Sequence, residues 1–146
     1  MMPQGEAKRI KLTIDSRLEN IGLAGLAVQA LCSYLGFSKV EAYQIQLCGV
    51  EAVTNAVKHA YRAHPGQEAA VVATLHPDRI SFQVLDTGKT MKPTSRAPLE
   101  FDPANLATLP EGGMGLYIIQ TVMDEVDYQT VDGANILTIT KYLSRD

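Results

Sequence analysis

The chain has little of what several broad protein classes require. It has only two cysteines, Cys32 and Cys48, too few for a disulfide-stapled fold. Both sit inside apolar helical patterns, which fits reduced core thiols in a reducing compartment. Neither carries a redox motif, and His64 and His76 stand without the company of a metal site. Basic charge is not in excess: Lys+Arg 13 against Asp+Glu 16 gives a net charge of -3. No broad positive surface therefore points to nucleic acid. The first nine residues are polar and lack the apolar centre of a signal peptide. One uncharged run, residues 21–37, is at the lower limit for crossing a bilayer. It contains Gln29, Ser33 and three glycines, and charged segments follow it closely. It reads as a helix buried in the core or at a subunit contact. The expectation is a cytoplasmic protein with no membrane span and no direct nucleic-acid partner.

What is present suits one globular domain spanning residues 1–146. Apolar residues make up 46% and charged residues 20%, and the length supports one core rather than two. Ile10, Leu12 and Ile14 alternate with polar residues as a strand does. Ser16-Arg17-Leu18-Glu19 and Ser38-Lys39-Val40-Glu41 read as capping boxes opening two helices. Gly36 is placed to end the first, and the second runs to about Arg62. Residues 69–75 and 80–85 form a hairpin pattern. A proline-rich stretch without period, 87–112, follows it. A helix from Met114 to about Glu125 leads to two more strands, 126–131 and 135–142, joined at Asp132-Gly133. This order predicts an α+β fold, a two-layer sandwich. Its sheet is mixed and mostly antiparallel, with three helices on one face.

The second helix groups chemistry on one side. At 100° per residue, Glu51, Asn55, Lys58 and His59 share an arc opposite Ala42, Ile45, Val53 and Val57. A solvated polar face is the plain reading. The other is that Asn55 offers a neutral oxygen to Mg²⁺, which needs few protein ligands beside phosphate. Glu51, one turn earlier, is then free to accept a proton. Val84-Leu85-Asp86-Thr87-Gly88 ends a buried strand in a carboxylate, either a common turn or an acceptor for an adenine amine. Gly112-Gly113-Met114-Gly115-Leu116 opens an apolar helix. It is either a hinge or a cradle of N–H groups for phosphates. It is not a P-loop, because no Gly-Lys-Ser/Thr follows.

The succession of Glu-x₃-Asn helix, Asp-x-Gly strand end, proline-rich loop and Gly-Gly-Met-Gly-Leu resembles the GHKL ATPase superfamily. Within it, residues 51–61 and 111–116 are most similar to the anti-sigma-factor serine/threonine kinases. The resemblance covers nearly the whole chain. It implies Glu51 as catalytic base, Asn55 as Mg²⁺ ligand, and Asp86 with Gly88 at the adenine. Gly113, Met114, Gly115 and Leu116 would lie around the ATP phosphates, with His59 a further candidate. Residues 87–112 would form the ATP lid. Family members phosphorylate a small anti-sigma-factor antagonist, sequester a sigma factor and commonly form homodimers. Two places depart from the family pattern: Thr90 replaces a glycine after Asp86, and the family's Gly-Thr turn before the last strand appears here as Gly133-Ala134-Asn135, leaving its hydroxyl contact near the base lost or supplied by Asn135 or Thr138. Thr90 is the feature favouring an alternative, a nucleotide-binding module that sequesters a partner without phosphotransfer.

Overall fold

A computed structural model describes residues 6–62, 64, 66–90 and 113–144. Most of the proposed lid, including Lys92 and Arg96, lies outside them. The order is β1 (Lys8–Asp15), α1 (Glu19–Leu35), α2 (Lys39–Thr54), a π-helical segment (Asn55–Ala60), β2 (Glu68–His76), β3 (Arg79–Asp86), α3 (Gly113–Val122), β4 (Glu125–Val131) and β5 (Ala134–Tyr142). The strands form one sheet in the order β1-β2-β3-β5-β4. All four of its pairings are antiparallel.

Alternation sets the face. On β3, Ile80, Phe82 and Val84 point into the core while Ser81 and Gln83 point away. On β5, Leu137 and Ile139 continue that buried row. Val28 and Cys32 of α1, Ile45 and Val53 of α2 and Ile119 of α3 close over it. Each large side chain fully buried here contributes about 1.5–3 kcal/mol of transfer free energy. The result is the expected two-layer α+β sandwich.

The helix signals are honoured unevenly. Ser38 accepts the Glu41 N–H at 3.1 Å, as a capping box requires. Gly36 takes a left-handed conformation (φ 111°) and ends α1. Ser16 does not cap α1, which starts from Leu18 with no side-chain cap bond. Its hydroxyl is buried instead, donating to the His64 carbonyl and accepting from the Gln67 N–H at 3.1 Å. A cap pattern here serves to tie two loops together. Asp132 and Gly133 both have positive φ (51° and 81°), the geometry of the tight hairpin expected between β4 and β5.

Candidate functional site

The end of α2 is not a plain α-helix. From Asn55 to Ala60 the ladder widens, and the Tyr61 N–H reaches back five residues to the Ala56 carbonyl at 3.0 Å. Such π turns occur often at functional sites. The widening spreads the arc read from straight-helix spacing. Asn55 is buried and Glu51 half-buried, while Lys58 and His59 are exposed. Buried Tyr61 pins this end of the helix. Its hydroxyl donates to the Glu68 carbonyl at 2.7 Å and accepts from the Thr87 N–H at 2.8 Å. The helix end, the start of β2 and the turn after β3 are thus held together by one side chain.

Asn55 is only 9% exposed, yet its Nδ2 has no hydrogen-bond partner among the described residues. An unpaired buried amide costs about 1–3 kcal/mol, so it marks either a defect or a ligand position. A half-turn of the amide presents its oxygen to the same space. One helical turn back, Glu51 faces the first turn of α3. A Cβ added to Gly115 would stand 2.5 Å from Glu51 Oε2 and 3.3 Å from its Cδ. Glycine at 115 is therefore what lets α3 approach this carboxylate. Gly113 and Met114 supply the backbone of the same first turn, and Leu116 is buried beneath it.

Asp86 ends β3 directly opposite Asn135, the second residue of β5. Its Oδ1 accepts from Asn135 Nδ2 at 2.7 Å and from the Gly88 N–H at 2.9 Å. Burial raises the carboxyl above its usual range, and these two donors partly offset the rise. Gly88 packs against the helix rather than across open space. A Cβ there would lie 2.5 Å from the Ala60 carbonyl oxygen, and the next residue, Lys89, donates its N–H to that oxygen at 2.9 Å.

These elements enclose a cleft lined by Ala52, Asn55, Ala56, Ala60, Val84, Asp86, Lys89, Tyr128 and Leu137. It measures ≈ 270 Å³ with its open mouth but only ≈ 10 Å³ within, roughly the room of one water. A purine ring enters only if lining residues move apart. Asn55 and Asp86 meet in this cleft, and Glu51 and Gly115 meet beside Asn55's helical turn. His59 is exposed and does not line it. Sequence patterning did not single out Tyr128 or Leu137. Their alternation on the hairpin around Asp132-Gly133 is the signal that places them on the inner face.

A cleft between helix and sheet thus holds the helix-borne Asn55 and the strand-end Asp86, with Glu51 and Gly115 in contact one helical turn away. Residues 14–141 match the model of one family, the histidine kinase-like ATPase domain. The chain is 33% identical over 143 residues to the serine-protein kinase RsbW of Bacillus pumilus, covering 94% of this chain and 87% of the relative. It is 32% identical over 145 residues to that of Bacillus licheniformis (96% and 89%), and 30% over 146 residues to that of Bacillus subtilis (97% and 89%). The chain belongs to the histidine kinase-like ATPase family and, within it, groups with the RsbW-type serine kinases. The resemblance read from residues 51–61 and 111–116 therefore stands.

Proposed function

We propose that the chain is an ATP-dependent protein serine/threonine kinase of the anti-sigma-factor type. The observation that carries this reading is the buried, unpartnered Asn55 amide one helical turn from Glu51, whose carboxylate abuts Gly115. The residues fit a nucleotide with its metal. Asn55 would hold Mg²⁺, Asp86 the adenine amine, and the first turn of α3 the phosphates. When bound, Mg²⁺ supplies charge neutralisation on the phosphate oxygens. Glu51, a half-buried carboxylate, would accept the proton of the partner's hydroxyl as that oxygen attacks the γ-phosphorus and ADP leaves. Asn55 and Gly115 fix where the reacting groups lie, and positioning dominates this kind of transfer.

The partners follow from the family reading: a small anti-sigma-factor antagonist as phosphoacceptor, a sigma factor as sequestered protein, and a second copy as dimer partner. Apolar surface supports a second copy. Leu23 and Leu26 of α1 are 64% and 59% exposed, beside an outer groove of ≈ 430 Å³ between α1 and the edge strand β1. Among the described residues no helix is long and apolar enough to cross a membrane. A cytoplasmic regulator is the fitting setting.

A second reading keeps the nucleotide and the sequestered partner but omits phosphotransfer. Thr90, tied down by its hydroxyl to Asn135 at 2.9 Å, favours it by stiffening the start of the lid segment. Labelled ATP and an antagonist protein decide between them. Transfer to a partner serine or threonine, lost in Glu51→Gln, supports the kinase. Tight nucleotide binding with no transfer supports the binding module.

A further inference from the structure

Asn135 is 1% exposed and is the hub of a closed polar network. Its Nδ2 donates to Asp86 Oδ1 at 2.7 Å and to the Gly88 carbonyl at 3.0 Å. Its Oδ1 accepts from the Thr90 and Thr130 hydroxyls at 2.9 and 3.0 Å. The carboxamide has one workable orientation. Both neighbours on the Nδ2 side are acceptors only, so the opposite rotamer would face oxygen to oxygen. The two hydroxyls hold that orientation from behind. Thr90, which stands where the family has a glycine, and Asn135, which follows the altered Gly133-Ala134 turn, here touch.

We propose that Asn135, oriented by Thr90 and Thr130, is a positioning residue that fixes Asp86 and so sets selectivity for a 6-amino over a 6-oxo purine. This rests on the reading of Asp86 as the base-binding carboxylate. Two donors, Asn135 Nδ2 and the Gly88 N–H, occupy Asp86 Oδ1. Among the described residues no donor occupies its other oxygen, and Asp86 lines the cleft. An exocyclic amine satisfies that oxygen. A 6-oxo group opposes it with a second acceptor, and a site built for a donor rejects ligands lacking one. If the carboxylate swings, the fixed acceptor is lost and the distinction weakens. The register that pairs Asp86 with Asn135 builds the arrangement into the sheet.

Calorimetric affinities for ATP and inosine triphosphate test this on the full chain. Wild type prefers ATP by about 100-fold or more, given hydrogen-bond selectivity of this kind. Asn135→Ala shrinks the preference to below about 10-fold. The exposed Thr90 gives a milder variant that keeps the core intact: Thr90→Val lowers the preference about 2- to 10-fold, the worth of one neutral hydrogen bond, and Thr90→Ser restores it. Should Asn135→Ala fail to fold, the Thr90 pair decides. Variants that lower both affinities equally, leaving the ratio unchanged, overturn the positioning role while the base-site reading survives. A wild type that binds both triphosphates alike overturns both.

Discussion

Gly115→Ala separates a hinge glycine from a site glycine. In a helix, alanine gains up to about 1 kcal/mol over glycine, so on propensity alone the variant is more stable. The added Cβ would meet Glu51 Oε2 at 2.5 Å and its Cδ at 3.3 Å. Because the clash falls on the end of a side chain, the carboxylate turns aside before the backbone must move. Relief of the clash consumes much of the propensity gain. The melting temperature should change by no more than roughly 2–4 °C, the shift per kcal/mol for a chain of this size. The chemistry should suffer far more. General-base catalysis contributes about 10²–10⁴-fold, and a 1 Å misplacement can cost about 10²-fold. Single-turnover phosphotransfer to an antagonist protein should fall by about 10- to 100-fold, with thermal melting nearly unchanged. In the double variant Glu51→Gln/Gly115→Ala, the second change should add little, because both act on one group. Wild-type transfer by Gly115→Ala, or full additivity in the double variant, would refute the pairing of Glu51 with α3.

Asn55→Leu replaces an unpaired buried amide with an apolar side chain, so the nucleotide-free protein should gain about 1 kcal/mol in urea unfolding while Mg²⁺-dependent ATP affinity is lost. A loss of stability instead would mean that the amide is satisfied in solution. Asp86→Asn keeps an acceptor for Asn135 and Gly88 while removing a charge that burial disfavours. The folded carboxyl lies above its ordinary 3.8, so ionisation costs wild-type stability as pH rises through the folded value. The variant should be the more stable protein at pH 7, and the gap should close as pH falls to the ordinary aspartate range or below. Equal stabilities at pH 7 would contradict the desolvation account. Burial pushes Cys32 and Cys48 each to about 12, so a thiol reagent at pH 8 should label neither until denaturant is added.

Much of this arrangement was legible in the residues. Alternation on β3 and β5, the cap at Ser38, the stop at Gly36 and the Asp132-Gly133 turn are local signals, and local geometry obeyed them. Ser16 misled because a hydroxyl serves a distant carbonyl as readily as a helix terminus, and only tertiary contact with residues 64 and 67 decides. The polar arc of the second helix was partly a product of assuming 100° per residue. The π turn at 55–60 keeps Asn55 inward and leaves His59 exposed, a change that spacing alone does not encode. Gly88 was expected at the adenine, and the neighbour that requires a glycine there is the Ala60 carbonyl. Asn135 gains its importance from standing across the sheet from Asp86, 49 residues away in sequence.

The account depends on a triphosphate and its magnesium ion lying between the Asn55 side of the helix and the glycine turn that starts α3. Calorimetric titration of ATP with and without Mg²⁺, on wild type and Asn55→Ala, measures this most directly. Wild type should bind more tightly with the metal, and the variant should lose that increment while keeping its metal-free affinity. Identical metal dependence in the two proteins would contradict the site.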